Sequence, residues 1–186
     1  MPTAVAKPAS MKTPKTTLLL MFVLLGSLIS SQATADEVAL YAGYTIGAND
    51  DDRITALSYS LDAPSSFSWA DGVVFTLGEF NGLDKKYGWN DFDDVLYYSV
   101  GVYWHFFEGK STRFTFGFSP TYVDDNYYYA HYVGSRWHFM SSLNYTYFIA
   151  GSDVFASVRY QHTSNGGLAP PNPGVDGLGL QIGYRW

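Results

Sequence analysis

The strongest constraint on the fold is an alternation of bulky apolar residues with small or polar ones, which recurs along most of the chain. Successive side chains of a β-strand point to opposite faces, so a period of two predicts strands with one apolar and one polar face. The last segment shows it best, because every second residue from Leu178 to Trp186 is apolar and the residues between are glycine or polar. Such segments predict eight strands, at 38–46, 53–61, 72–80, 96–106, 113–119, 136–147, 153–164 and 178–186.

The composition indicates which face meets which environment. The chain has 5 Trp, 16 Tyr and 13 Phe but only 15% charged residues, below the usual quarter. The polar face is too rich in glycine and polar groups to be the core of a soluble protein, whereas the bulky aromatic face suits lipid. The sequence therefore predicts an all-β fold, an eight-stranded antiparallel transmembrane β-barrel of the bacterial outer membrane. The aromatic Trp186 at the chain end resembles the C-terminal signal of such barrels, and a secreted soluble barrel is the alternative.

The first 35 residues have the features of a secretory signal peptide. A basic stretch from Met11 to Lys15 precedes an apolar run from Leu18 to Ile29, and small residues at 33–35 suit cleavage. The apolar run is shorter than the roughly 20 residues of a spanning helix, although a retained membrane anchor is the alternative. We expect residues 1–35 to be removed, with 1–10 an upstream extension if Met11 is the initiator, and 36–186 to form the barrel domain.

Charge and cysteine content exclude several classes of function. The chain has no cysteine, which excludes a disulfide scaffold, a thiol nucleophile and a cysteine-ligated zinc site. Its formal net charge of -6 is opposite to the basic surface of a nucleic-acid-binding protein. No nucleic-acid partner, metal or cofactor is expected.

Loop lengths predict the topology. Four longer loops at 47–52, 81–94, 124–135 and 165–175 are expected outside the cell, and turns at 62–71, 107–111 and 149–152 on the periplasmic side. A barrel of eight strands has no room for a pore, so inward polar residues are expected to fill its interior, the lumen. The residues that the alternation predicts to face the lumen include His105, Arg113, Arg136, His138, Arg159 and Arg185.

One strand carries polar residues on its lipid-facing side. Arg159 and Gln161 must point inward, so His162 and Ser164 point outward at the end nearest the outer leaflet. Residues two apart on a strand lie on one face, some 6–7 Å apart at the backbone, which a histidine side chain can bridge. Imidazole can take the proton that makes a serine hydroxyl a nucleophile.

The residues after this pair could complete a hydrolytic site. Asp176 shares the outward parity of the last strand and could orient the imidazole. Asn165, Gly166, Gly167 and Asn172 offer amide groups that could stabilise an oxyanion or position substrate. The alternative is a set of polar residues at the membrane rim, joined by an ordinary Gly/Pro/Asn turn.

The segment His162-Thr163-Ser164-Asn165-Gly166-Gly167-Leu168, followed by Pro171-Asn172-Pro173-Gly174, resembles the outer-membrane lipid A 3-O-deacylase family (PagL type). The resemblance implies that His162 is the base, Ser164 the nucleophile and Asn172 part of the oxyanion hole. The family typically has glutamate where this chain has Asp176, whose side chain is one methylene shorter.

The resemblance implies a serine esterase that removes the ester-linked 3-hydroxyacyl chain at the 3-position of lipid A, without a cofactor. Lipopolysaccharide and outer-membrane lipid would then be its partners, while the sequence leaves the oligomeric state undetermined. Two alternatives stay open: a non-enzymatic small barrel with an adhesive or structural role, and a lipid A acyltransferase or phospholipase.

Overall fold

The structure, a computed structural model, describes residues 36–47, 53–64, 66–81, 94–125, 127–128 and 131–186. The predicted signal peptide, 1–35, lies outside the described residues, as do most of the loops 47–52 and 81–94. The described part contains no helix that is long and apolar enough to cross a membrane.

Eight strands close into an antiparallel barrel: β1 Asp36–Ile46, β2 Arg53–Asp62, β3 Gly72–Asn81, β4 Val95–Glu108, β5 Thr112–Val123, β8 Trp137–Phe148, β9 Val154–Ser164 and β10 Val175–Arg185. Around the barrel they follow the order β1-β10-β9-β8-β5-β4-β3-β2. Two short strands, β6 Tyr127–Tyr128 and β7 His131–Tyr132, pair with each other in the loop between β5 and β8. The first and last strands pair along their length, which closes the barrel and confirms the predicted fold.

The alternation of faces follows the sequence pattern. On β10 the even-numbered residues from Leu178 to Tyr184 are exposed, with Leu180 68% and Ile182 57% accessible, whereas Gly177, which has the opposite parity, is buried. On β9 Arg159 and Gln161 are buried in the lumen, as the parity predicts. These outward apolar faces form the lipid-facing wall of the barrel.

The sequence pattern predicts that Arg136 faces the lumen, but the structure has it elsewhere. Arg136 precedes β8 in the β5–β8 loop, is exposed and donates a hydrogen bond to the Tyr122 hydroxyl at 3.3 Å. The prediction for Arg136 was wrong because β8 begins one residue later, at Trp137. A second irregularity is a bulge between His105 and Phe107 of β4, which exposes Phe106 and Phe107 together.

The lumen is polar through most of its length but apolar at the end that carries the four long loops. A buried salt bridge, Arg113 to Glu37 at 2.7 Å, crosses the polar part, which encloses a cavity of about 60 Å³. Buried apolar side chains close the loop end, where sequence reasoning expected polar filling: Tyr41, Ile54, Ala56, Phe80, Val95, Tyr97, Val123, Val133, Met140 and Val175. This apolar cluster lies inside the barrel, next to the ends of β9 and β10 that carry the long loops.

Candidate active site

His162 and Asp176 face each other across the β9–β10 pair. The antiparallel register aligns them as direct partners, and both side chains lie on the outer surface of the barrel, about two-fifths exposed. The ring Nδ1 of His162 lies 2.8 Å from Oδ1 of Asp176. A carboxylate can only accept, so Nδ1 carries the proton and Nε2 of a neutral ring has its lone pair free. The strand register thus presents an oriented imidazole with its basic nitrogen turned away from the acid.

Asp176 accepts a second hydrogen bond, from a residue that the sequence analysis did not include in the site. The hydroxyl of Tyr160 donates to the same Oδ1 at 2.6 Å. Tyr160 lies two residues before His162 on the same face of β9 and is aligned with Leu178. Tyr160 shares the outward parity of His162, but only the structure shows that its hydroxyl reaches Asp176 across the strand pair.

Ser164 is the last residue of β9 and shares the outward face of His162. Among the described residues no hydrogen bond joins Ser164 Oγ to His162, whose bonded nitrogen is Nδ1. Both side chains adjoin Gly174, where an added Cβ would lie 3.0 Å from Cε1 of His162, 3.7 Å from its Nε2 and 3.9 Å from Cβ of Ser164. Gly174 also has a φ of +66°, which favours glycine. The absence of a side chain there leaves the space between imidazole and serine open.

Asn165 is fully buried and organises the loop after β9. Its Nδ2 donates to the carbonyls of Val133 at 2.8 Å, Ala169 at 2.6 Å and Pro171 at 3.1 Å, while its Oδ1 accepts from the Gly167 N–H at 2.9 Å. Because Val133 belongs to the β5–β8 loop, one amide side chain ties two loops together. Asn165 therefore has no side-chain donor left for an oxyanion.

Asn172 is oriented by the backbone of Asn165. The Asn165 N–H donates to Oδ1 of Asn172 at 2.8 Å, which fixes the plane of the amide and turns its Nδ2 the other way. Within the described part of the chain, Asn172 Nδ2 and the Gly166 N–H have no hydrogen-bond partner. Of the four predicted donor residues, Gly166 and Asn172 keep available N–H groups, whereas Asn165 and Gly167 use theirs inside the loop.

Apolar side chains border the polar group on β8. Phe139 is aligned with Ser164 and stacks on Phe118 at a centroid distance of 5.8 Å, and Leu143 is aligned with Tyr160. Gly166, with a φ of +61°, lies so close to the Phe139 ring that an added Cβ would be 2.9 Å from it. The serine is therefore flanked by a lipid-facing apolar wall, a suitable environment for an acyl chain.

The described residues contain no group of three or more His, Asp or Glu side chains placed to bind a metal ion. The outer-loop Asp124 has a structural contact, because its Oδ1 accepts from the Leu96 N–H at 2.9 Å, at the start of β4. The polar groups gathered around His162 thus include an acid, an imidazole, a serine hydroxyl and free amide N–H groups, a set suited to acyl transfer.

Solved structures of similar shape are outer-membrane and designed barrels. A crystal structure of the outer membrane enzyme PagL matches with a TM-score of 0.56 and 18% identity, over 80% of this chain and 98% of that chain. The N-terminal β-barrel domain of Pseudomonas aeruginosa OprF matches with a TM-score of 0.52 and 12% identity, over 83% of this chain and 98% of that chain. At these identities the likeness supports the barrel fold alone.

Sequence comparison identifies the family. No curated protein sequence matches the chain. The sequence model of the family described as lipid A 3-O-deacylase (PagL), however, matches residues 53–185, well over half of the chain and a span that includes His162, Ser164 and Asp176. The chain therefore belongs to the lipid A 3-O-deacylase (PagL) family and is a hydrolase of the bacterial outer membrane that acts on lipid A.

Proposed function

We propose that Ser164, His162 and Asp176 are the catalytic triad with which this barrel removes the 3-O-linked hydroxyacyl chain of lipid A. The observation that carries the proposal is the hydrogen bond between His162 Nδ1 and Asp176 Oδ1 at 2.8 Å, on the lipid-facing surface and beside Ser164. A strand face exposed to lipid is a costly place for an acid and an imidazole, so a function for the pair is the favoured explanation.

In the first half-reaction Ser164 Oγ attacks the carbonyl carbon of the ester while His162 Nε2 takes the hydroxyl proton. The imidazolium that forms is stabilised by the Asp176 carboxylate. The tetrahedral intermediate collapses, the bond to the sugar oxygen breaks, and His162 returns its proton to that oxygen. The products are the 3-hydroxyl of the sugar and an acyl-enzyme ester on Ser164.

Water completes the reaction. It attacks the acyl-enzyme carbonyl and gives a proton to His162 Nε2, which passes it back to Ser164 Oγ as the bond to the acyl group breaks. The free N–H groups of Asn172 and Gly166 would donate to the oxyanion formed in each half-reaction. The orientation of the Asn172 amide by the Asn165 N–H supports this role, because preorganised donors need no rearrangement as charge develops.

The lipid-facing position also suits the substrate. The scissile ester of lipid A lies near the boundary between headgroup and acyl chains, and the site lies at the loop end of β9 and β10. Phe118, Phe139 and Leu143 would contact an acyl chain that never leaves the bilayer. We propose on this basis that lipid A enters sideways from the outer leaflet.

The test is the lipid A mass spectrum of cells that express the chain. Wild-type protein should produce lipid A lighter by one 3-hydroxy fatty acid, and Ser164→Ala should produce none while the barrel still folds. Ser141→Ala is the matched control, because Ser141 is the outward serine aligned with His162 on β8 and should keep the product.

Product from Ser164→Ala at the wild-type level would contradict the serine mechanism. Loss of product in Ser141→Ala alone would assign the nucleophile to the neighbouring strand. Fatty acid released from phospholipid in the same extracts, with lipid A unchanged, would instead indicate a phospholipase.

A further inference from the structure

The hydrogen bond from Tyr160 to Asp176 has no role in the triad as proposed. Its donor and acceptor oxygens are 2.6 Å apart, and the acceptor is the same Oδ1 that binds His162 Nδ1. Asp176 lies diagonally across the strand pair from Tyr160, within the reach of an aromatic side chain. Two donors on one strand therefore converge on a single oxygen of the facing strand.

We propose that Tyr160 is a positioning residue of the deacylase, whose hydroxyl holds the Asp176 carboxylate in the orientation that keeps the His162 ring in place. The inference rests on the proposed triad and deepens it. Tyr160 itself touches neither the reacting serine nor the ester; it acts through Asp176.

The length of the aspartate side chain explains why such a contact is useful. Asp176 has a short side chain, with one methylene fewer than a glutamate. Its side chain is 41% exposed, so water and headgroup donors could compete with His162 for the carboxylate. A tyrosine has only two side-chain torsions and loses little entropy on making a fixed contact. The Tyr160 hydroxyl therefore restricts the rotation of a carboxylate that has little reach to spare.

The surrounding faces present no competing charge. In the described residues near the pair, β1 presents Tyr44 and Ile46 toward β10, and β8 presents Ser141 and Leu143 toward β9. Arg159, the nearest arginine in sequence, points into the lumen. The effect of Tyr160 on His162 must therefore pass through the Asp176 carboxylate.

The test compares Tyr160→Phe with the wild type in detergent–lipid A mixed micelles, where kcat and KM are measured separately. Removal of the hydroxyl should lower kcat about 10-fold, the effect of one charge-assisted hydrogen bond, and leave KM within about twofold. Tyr145→Phe is the matched control: Tyr145 is an outward tyrosine on β8, 53% exposed, and should have wild-type kinetics.

The same substitution made in an Asp176→Glu variant distinguishes a positioning role of the Tyr160 hydroxyl from a packing role. In Asp176→Glu the longer side chain reaches the imidazole without help, so adding Tyr160→Phe should cost less than about threefold in kcat. An equal loss in the Asp and Glu backgrounds would overturn the inference, because the hydroxyl would then act independently of the carboxylate. A rise in KM alone would also overturn it and assign Tyr160 to substrate contact.

The outcomes distinguish this inference from the proposal on which it rests. Full kcat in Tyr160→Phe, together with an inactive Ser164→Ala, overturns the positioning role and leaves the triad intact. Activity in Ser164→Ala overturns both. Folding of each variant is checked by the shift in electrophoretic mobility between unheated and heated samples, so that a failure of assembly is not read as a loss of catalysis.

Discussion

At the scale of single residues, the role of Asp176 is the most direct test of the proposed chemistry. The carboxylate accepts from His162 Nδ1 and would stabilise the imidazolium that forms as Ser164 attacks. Asp176→Asn keeps the shape but removes the charge, and loss of the charge from a Ser-His-Asp triad costs about 10⁴-fold in kcat. We expect Asp176→Asn and Asp176→Ala to lose activity by several powers of ten, measured as the rate of fatty acid release from lipid A.

Asp176→Glu is the control for this prediction. It keeps the charge and introduces the residue typical of the family, so deacylation should continue at a rate similar to the wild type. Wild-type rates in Asp176→Asn would show that this carboxylate has no catalytic role.

The positions of these residues were predictable from the sequence, but their partners were only partly so. The alternation in β9 and β10 places His162, Ser164 and Asp176 on one outward surface, because a strand leaves only two choices of face. The partners of Asn165 could not be found in this way. Its amide binds the Val133 carbonyl, which is 32 residues away in another loop, and strand parity carries no information about loop contacts. Asn165 was therefore interpreted as a possible oxyanion donor, whereas the structure shows its amide engaged in the loop.

At the scale of elements, the loop after β9 depends on that buried amide. Asn165→Ala would remove the partner of the Ala169 and Pro171 carbonyls and of the Gly167 N–H, each at a cost of about 1–3 kcal/mol if no water replaces it. The Val133 carbonyl would lose its bond to Asn165 but keep the one from the Ser135 N–H. We expect the two loops to separate, which increases their cleavage by an added protease. We also expect a lower kcat, because the backbone N–H of residue 165, which orients Asn172, moves with the displaced loop.

The comparison variant is Asn172→Ala. Asn172 is exposed and bonded through Oδ1 to the Asn165 backbone, so its loss should lower kcat with little change in protease resistance. Lower activity in Asn165→Ala with wild-type protease resistance would contradict the structural role given to Asn165.

The strands themselves were predicted closely, and the exceptions have local causes. The predicted seventh strand, 153–164, is β9 at Val154–Ser164, because regular alternation continues to its end. The bulge between His105 and Phe107 was missed because Phe106 and Phe107 are both bulky and apolar. The sequence pattern therefore does not show that both side chains face the lipid. The short pair β6 and β7 was also missed, since two-residue strands are too short to show a period.

At the scale of the whole molecule, opposite sides of the barrel are joined through its lumen. Glu37 is on β1 and Arg113 is on β5, strands that are not neighbours in the sheet, and their side chains meet at 2.7 Å. Arg113 also lies over the Phe148 ring, with its guanidinium carbon 5.0 Å from the ring centre. Because the pair is almost completely enclosed, loss of one partner leaves an uncompensated charge inside the barrel.

This arrangement predicts that the two residues are strongly coupled in stability. Glu37→Gln or Arg113→Met alone should destabilise the barrel by about 3–5 kcal/mol, the usual cost of breaking a buried pair. The double variant removes both charges and should regain most of that loss, because apolar replacements avoid the desolvation of two ions. Urea unfolding in lipid vesicles measures the free energy of unfolding of each variant, and the double-variant cycle gives the coupling between the two residues.

The active site lies at the other end of β9 and β10, so deacylation by the folded double variant should match the wild type. Additive losses in the cycle would show that the pair does not hold β1 and β5 together, and that the hydrogen bonds between neighbouring strands alone set the shape of the barrel.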